Sequence, residues 1–215
     1  MFSPSPSDGV LHQGEVVTDV IQVQVRAASL ALGGGDLDLE EKVHPYALIL
    51  TQDCDLDWDY KARAPALRDV DENKRESKLV PNVLLCELAT TDIVRPRLAG
   101  SDILKRVRNN QDERYHCLPA IQPVEDRAGA GLPELIADFK RIFSIPTEEL
   151  YLRLGLGVRR RAVMDSPFLQ HLSARFGYYC LRVALPEMSQ PVLTAEVAPI
   201  ARPLPGATES GGGIR

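Results

Sequence analysis

The feature that most constrains this chain is an apolar run of strand length that stops at a row of acids. Residues 43–52 are largely apolar, and such a run predicts a β-strand with both faces buried. Every second residue that follows is an acid, in the order Asp53, Asp55, Asp57 and Asp59, with Cys54 and the single tryptophan, Trp58, among them. Folds commonly place functional groups where a rigid strand releases into a polar loop. The segment therefore predicts a functional end of the molecule.

The composition excludes some classes of partner. The 215 residues are 44% hydrophobic and 26% charged, which is ordinary for a soluble globular protein. The net charge of −5 offers no general attraction for nucleic acid or an anionic membrane. No apolar run reaches the roughly 20 residues that span a bilayer, and residues 1–6 lack the pattern of a secretory signal. These features predict a cytoplasmic protein without a membrane partner.

The domain organisation follows from where the polar and flexible compositions lie. Residues 1–13, rich in Ser and Pro, are predicted to be disordered, and residues 187–215 are predicted to form an extended or disordered tail. A single domain is predicted between them, over residues 14–186. Within it, residues 60–78 are highly charged and poor in large apolar side chains, which predicts an exposed insertion.

The hydrophobic patterns predict a mostly β domain with helices, of the α+β class. Strands are predicted, beside the 43–52 run, at 14–17, 21–25, 82–88, 114–118 and 135–143. Short helices are predicted at 102–108, capped by Ser101, and from residue 146.

The clearest element is a long amphipathic helix at 166–185. Ser166 is a candidate N-cap, Pro167 suits the first helical position, and Pro186 ends the pattern. Its apolar residues recur at spacings of three and four: Phe168, Leu169, Leu172, Phe176, Tyr179, Cys180 and Val183. This pattern predicts a helix packed across a β core, with a partner-binding helix as the alternative.

The cysteines do not indicate a metal site or disulfides. Cys54, Cys86, Cys117 and Cys180 lie far apart, without any C-x-x-C pair. Cys86 and Cys180 lie within apolar patterns and are predicted to be buried. The chain also lacks a phosphate-binding glycine loop and a dinucleotide fingerprint. We therefore predict no cofactor and no structural metal.

The order of several segments resembles the PemK/MazF-type toxins. These segments are Gly14-Glu15-Val16-Val17, His44-Pro45-Tyr46-Ala47-Leu48-Ile49-Leu50-Thr51, Asn82 to Thr91, Asp138 to Ile145, and the 166–185 helix. The resemblance implies an SH3-like β-barrel with inserted loops and a C-terminal helix, which in the toxins also mediates a homodimer. It also implies a bacterial toxin–antitoxin or defence setting.

The resemblance further implies a metal-independent endoribonuclease, but one catalytic position differs. In the toxins the catalytic pair consists of an arginine just before the strand that corresponds to residues 44–51, and a Ser or Thr at the end of the next strand, which corresponds to the segment at 82–91. Thr90 or Thr91 occupies the second position, whereas Val43 and His44 stand at the first. In a ribonuclease His44 and His116 would act as the acid and base beside Thr90. A basic group would hold the phosphate: Lys105, Arg106, Arg108 and Arg114.

The acidic segment supports two further hypotheses. If it is extended, its acids share one face and its apolar residues the other. In the favoured hypothesis the chain is a non-catalytic interaction module that presents this edge to a protein partner, through Asp53, Cys54, Asp55, Asp57 and Trp58. In the other, the cluster Asp53–Asp57 binds a divalent metal in a metal-dependent hydrolase.

Overall fold

The computed structural model describes residues 1–31, 37–64 and 72–181. They form a mixed α+β fold around a seven-stranded antiparallel sheet that is not closed, with the strand order β1-β7-β2-β3-β4-β6-β5. The strands are β1 (Phe2–Pro4), β2 (Glu15–Val25), β3 (Leu39–Ile49), β4 (Asn82–Thr90), β5 (Tyr115–Leu118), β6 (Leu135–Pro146) and β7 (Arg159–Met164).

Helices occupy the connections between the strands. They are α1 (Ala27–Ala31), α2 (Asp53–Arg63), α3 (Glu72–Glu76), α4 (Thr91–Val94), α5 (Ser101–Arg108), α6 (Thr147–Leu154) and α7 (Phe168–Leu181). Two single-turn 3₁₀ segments lie at Arg95–Arg97 and Pro123–Glu125. No helix in the described ranges is long and apolar enough to cross a membrane.

Two hydrophobic cores lie on the two faces of the sheet. Along β3, Leu48 belongs to the first core and its neighbours Ala47 and Ile49 to the second, because successive strand residues point to opposite faces. The first core is covered by α7, and the second receives Leu56 from α2 and Leu150 from α6. The predicted burial on both faces is therefore confirmed for residues 47–50, but it is wrong for Val43 and Pro45, which are exposed.

The predicted strands are all present, with changed limits. Residues 14–17 and 21–25 belong to one continuous strand, β2, in which Asp19 has a positive φ of 62°. The strand before the acids begins earlier than predicted, at Leu39, and ends at Ile49. Gly14 precedes β2 with φ 74°, and a Cβ there would lie 2.8 Å from Leu169 of α7. Helix α5 begins at Ser101 itself, with Gly100 as its N-cap.

The N-terminal residues 1–13, which we predicted to be disordered, contain strand β1 instead. Phe2, Ser3 and Pro4 pair with Met164, Val163 and Ala162 of β7, a strand that we did not predict. Phe2 is 5% exposed, and Leu11 is fully buried in the second core. The prediction of disorder rested on the Ser- and Pro-rich composition and did not consider that single apolar residues, here Phe2 and Leu11, can be buried in the cores.

The predicted C-terminal helix is present as α7, which begins at Phe168 rather than at Pro167. It packs on the first core through Leu169, Leu172, Phe176 and Tyr179. Cys86 is buried as predicted, but the prediction for Cys180 is wrong, because that residue is exposed on α7. Residues 182–215, with the predicted tail, lie outside the described part of the chain.

The acidic segment is helical, so the prediction of an extended 53–59 segment is wrong. Asp53 and Asp55 lie in the first turn of α2, where acids interact favourably with the helix dipole. Two ion pairs at i, i+4 spacing follow, from Asp57 to Lys61 and from Asp59 to Arg63. The alternation of acids and apolar residues is compatible with a strand or a helix. The acids in the first turn and the two i, i+4 ion pairs favour the helix.

Part of the predicted 60–78 insertion, residues 65–71, lies outside the described residues. Its described parts are the end of α2 and the segment that contains α3, and most of their side chains are exposed or half-buried. Ala62 is an exception, since it is 2% exposed.

Candidate functional site

Strands β2 and β3 extend beyond the sheet as a two-stranded ribbon. β7 pairs with β2 only from Glu15 to Thr18, and β4 pairs with β3 only from Tyr46 to Ile49. The remaining parts, Val20–Val25 and Leu39–His44, pair only with each other within the described sheet. We refer to these two segments as the ribbon.

One face of the ribbon is apolar and exposed to solvent. Directly opposed residues of an antiparallel pair share a face, so Ile21 with Val43, Val23 with Glu41, and Val25 with Leu39 lie on the same side. Leu39 is 60% exposed and Val43 57%. We call these six residues the apolar ribbon face. Among the described residues no second layer packs on this face of the ribbon, so its apolar side chains remain exposed.

The opposite face of the ribbon is polar and leads to His44. Gln24 Nε2 donates a hydrogen bond of 2.7 Å to Gln22 Oε1, and the same oxygen lies 3.2 Å from His44 Nε2. Because an amide oxygen only accepts, the imidazole donates from Nε2 in this arrangement. These contacts connect the ribbon to the point where it leaves the sheet.

His44 lies in a charged cluster beneath the ribbon. Its ring stacks on Phe143 of β6, with the ring centroids 3.8 Å apart and the planes 4° from parallel. Its Nδ1 lies 3.6 Å from Glu87 Oε2, too long for a hydrogen bond. Glu87 also contacts Lys42 Nζ at 3.3 Å and Arg141 Nη1 at 3.1 Å. Glu87, Arg141 and Phe143 are therefore site residues that the sequence analysis missed; Glu87 is the lone acid within an otherwise apolar strand.

The electrostatics of this cluster favour the uncharged form of His44. Burial lowers the pKa of His44, Lys42 lowers it further, and Glu87 partly opposes these effects. With 1% of its surface exposed, the imidazole is packed between Phe143 and the ribbon. The geometry indicates that His44 positions the ribbon.

His116, the second predicted catalytic histidine, lies on the other face of the sheet. Its ring centroid is 6.5 Å from that of Phe139 in the first core and 5.6 Å from that of His171 on α7. Phe143, which stacks on His44, packs against the second core. Strands β4 and β6 separate β3 from β5, which corresponds to roughly 14 Å across the sheet. The structure does not bring the two histidines together.

Thr90 is also apart from His116. It ends β4 opposite Leu135 and occupies the N-cap position of α4 without a side-chain capping bond. The neighbouring Thr91 donates a hydrogen bond of 2.6 Å to Glu134 Oε1.

The predicted basic group is divided between two elements. Lys105, Arg106 and Arg108 lie on the exposed side of α5, and Arg108 Nε contacts Glu134 Oε1 at 3.0 Å. Arg114 instead forms a bidentate pair with the buried Asp138, at 2.7 and 2.6 Å. The hydrogen bonds that Arg114 donates to the Asp138 carboxylate raise the pKa of Arg114. Arg114 is therefore held by an ion pair within the fold, whereas the three basic residues of α5 lie on a solvated face of that helix.

The residues of the acidic segment differ in their surroundings. Asp53 accepts a hydrogen bond of 2.7 Å from the backbone N–H of Gln13 and lies 3.6 Å from His12 Nδ1. Asp57 contacts Lys61 at 2.6 Å. Cys54 and Asp55 are exposed, as is Trp58, at 54%. The acids at 53 and 57 are thus engaged within the chain, so the acidic edge is smaller than the sequence indicated.

The acidic segment does not assemble a metal centre in the described part of the chain. Within residues 1–31, 37–64 and 72–181, no three His, Cys, Asp or Glu side chains lie close enough to hold a metal ion. Asp59, the innermost acid of the row, is fully buried and binds Arg63 and the backbone N–H of Val80, each at 2.8 Å.

The geometry thus identifies the ribbon as the best candidate site, because it has an exposed apolar face and is held by His44 at the point where it leaves the sheet. Comparisons with protein-family models, with curated proteins and with solved structures found no match for this chain.

Proposed function

We propose that this protein is a non-catalytic interaction module that binds a protein partner through the apolar ribbon face. The observation that carries the proposal is the exposure of Val23, Leu39 and Val43 on one side of a ribbon whose other side is polar and anchored. Contiguous apolar residues rimmed by polar ones are typical of protein interfaces. Because the contacts of His44 fix the ribbon where it leaves the sheet, less conformational freedom is lost when a partner binds.

The charges around this face define the chemistry of the partner. Glu41 lies within the apolar ribbon face, opposite Val23, and Glu40 and Asp38 lie beside it, where both contact Arg26. A complementary surface would carry apolar side chains and a Lys or Arg that meets Glu41. The Asp55 and Trp58 side of α2 remains a second contact region in this proposal.

The resemblance to the PemK/MazF-type toxins supports a cytoplasmic bacterial setting for the partner. In this proposal the chain keeps a divergent SH3-like barrel, and the partner is an antitoxin or a defence component. The support is the serial order of the segments at residues 14–17, 44–51, 82–91 and 138–145. A homodimer through α7 stays a prediction; Tyr178 and Leu181 are its exposed apolar residues, at 60% and 78%.

A divergent metal-independent endoribonuclease is the second candidate, and the cluster around Glu87 favours it. The imidazole of His44 and two cations, Lys42 and Arg141, each lie within 3.6 Å of the Glu87 carboxylate. RNA cleavage needs a base, an acid and groups that stabilise the developing phosphate charge. The burial of His44 disfavours this candidate, because the imidazole would have to reach the substrate.

The test of the interaction module is partner capture by matched variants. The tagged chain, a Leu39→Lys/Val43→Lys variant and a Leu156→Lys control are used to capture proteins from the host. Leu156 is 87% exposed and lies outside the ribbon. We expect a protein that the wild type and the control retain, that the ribbon variant loses, and whose purified form binds at least about tenfold more weakly to Glu41→Lys. Equal capture by the ribbon variant would contradict the proposal.

The ribonuclease is tested separately with purified chain and total RNA in the presence of EDTA. Discrete fragments that disappear in the Glu87→Gln variant would support the second candidate. Intact RNA at every concentration tested would exclude it.

A further inference from the structure

A cavity between β5 and α7 is independent of the ribbon. Its volume is about 390 Å³, which lies in the range of small-molecule sites. His116 and Cys117 of β5 form one wall, and His171 and Phe168 of α7 form another. Arg108 and Glu134 lie at its polar side.

His116 is the unusual group in this cavity. The residue is 1% exposed, yet neither Nδ1 nor Nε2 forms a hydrogen bond with any residue that the structure describes. A buried polar group without a hydrogen-bond partner destabilises a fold. Because His116 also lines the cavity, a molecule bound there is a candidate for the missing partner of one of these nitrogens.

The chemistry of the lining selects an uncharged ligand. Burial, with the charge of Arg175 and the neighbouring His171, lowers the pKa of His116 to about 3, so its ring offers one donor and one acceptor at neutral pH. Burial raises the pKa of Cys117 to about 11, so the thiol is neutral too. Arg108 and Glu134 neutralise each other at 3.0 Å. The α-ammonium of Met1, which also lines the cavity, lies 3.7 Å from Glu125 and 4.0 Å from Asp165. Each of these charged groups therefore already has an opposite charge nearby, so the lining favours an uncharged ligand over an ionic one.

The shape and polarity of the lining further restrict the class of ligand that the cavity can bind. Phe168 and the two imidazole rings provide flat faces on which a planar ring can stack. A purely apolar molecule would leave both nitrogens of His116 unpaired. A metal ion is disfavoured, because the described residues place no three metal-binding side chains together.

We propose that this cavity binds an uncharged nucleobase, as a free base or a nucleoside, with His116 hydrogen-bonded to the edge of the base. A nucleobase is flat and carries donors and acceptors side by side, and the cavity volume accommodates it with its sugar. His116 recognises the polar edge, while Phe168 and His171 contact the ring face.

The test uses adenosine, guanosine, cytidine and uridine as separate probes for the full chain. Binding is followed by the melting temperature and by the imidazole NMR signals of His116. We expect at least one nucleoside to raise the melting temperature saturably and to shift those signals, with a Kd below about 1 mM.

Two variants and a control localise the binding. His116→Phe keeps the packing of the ring and removes both polar atoms, so affinity falls by about tenfold or more. Asn109 lines the cavity and is exposed, so the larger side chain of Asn109→Trp should fill part of the cavity and block binding, while His116 is unchanged. Lys105→Trp, in α5, the helix that ends just before Asn109, lies outside the lining and should bind like the wild type.

Absence of any saturable response to all four nucleosides would overturn the proposal, and so would binding that both His116→Phe and Asn109→Trp retain. The ribbon variant Leu39→Lys/Val43→Lys is expected to bind the nucleoside normally, so this outcome is separate from that of partner capture.

Discussion

His44 and His116 are equally buried in the same sheet, yet their surroundings differ completely. Each is 1% exposed. His44 stacks on Phe143 and its Nε2 contacts Gln22, although its Nδ1, 3.6 Å from Glu87, forms no hydrogen bond among the described residues. In the same part of the chain, neither nitrogen of His116 has a hydrogen-bond partner. Burial alone therefore does not reveal what a histidine does. His44 contacts the ribbon and the aromatic ring beneath it, whereas His116 lines a cavity with polar atoms that no described residue satisfies.

The comparison extends to the aromatic residue beside each histidine, and here we expect the largest effect. Phe139, near His116, is 1% exposed and also contacts Phe176 and Tyr179, whereas Phe143, beneath His44, is only partly buried. Phe139→Ala should lower the free energy of unfolding by about 4 kcal/mol and Phe143→Ala by about 2 kcal/mol, measured by urea denaturation. An equal or larger loss for Phe143→Ala would show that the His44 stack contributes more than its burial indicates.

Acid should act strongly through His116. Its pKa in the folded state, about 3, lies below the value of about 6.5 in the unfolded chain, so the unfolded state binds the proton first. Stability is fully present above pH 6.5 and falls as the pH decreases towards 3, by at most about 1.4 kcal/mol per pH unit.

The check is the pH dependence of unfolding in His116→Phe between pH 6.5 and 4.5. The variant should lose less stability than the wild type as the pH falls, with a difference that increases towards pH 4.5. Parallel curves for the two proteins would contradict the lowered pKa of His116.

Replacement of each histidine by phenylalanine should separate the two roles at neutral pH. His44→Phe retains a stacked ring but leaves Gln22 Oε1 without this donor, so a loss of about 1 kcal/mol is expected. His116→Phe removes two unpartnered polar atoms and should be neutral or stabilising. Chemical denaturation of both variants checks the difference, and a larger loss for His116→Phe would reverse the assignment of roles.

The smallest effect is expected on the ribbon. Val43→Lys alters a side chain that is 57% exposed, so the free energy of unfolding should change by less than about 0.5 kcal/mol. The same variant should weaken partner capture. If Val43→Lys lowers the melting temperature strongly, the apolar ribbon face packs within the chain and is not a free surface.

Much of the fold could be predicted from local patterns. The apolar runs at 82–88 and 135–143 lie within β4 and β6, and the spacing of Leu169, Leu172 and Phe176 identified α7. Strand β7, with its run Arg159-Arg160-Arg161, was missed because its polar side chains hide the alternation. Arg160 binds the buried Glu15 and Arg161 binds Asp126, each at 2.6 Å, and both carboxylates are distant in sequence.

The candidate site was less predictable, because it depends on contacts between distant strands. His44 and His116 were recognised as notable residues, but their placement on opposite faces follows from the strand order. The helical state of Asp53–Arg63 could have been inferred from its acidic first turn and its Asp57–Lys61 spacing. The exposure of Leu39 and Val43 could not, since alternating strands usually bury their apolar side.

By itself, the sequence determined the α+β class, most of the strands and the amphipathic α7, because hydrophobic periodicity is a local property of the chain. The tertiary structure alone decided that β2 and β3 leave the sheet as a ribbon, and that His44 obtains partners while His116 does not. Hydrogen-bond partners and solvent exposure depend on which distant segments meet, and that information lies in the packing of the whole chain.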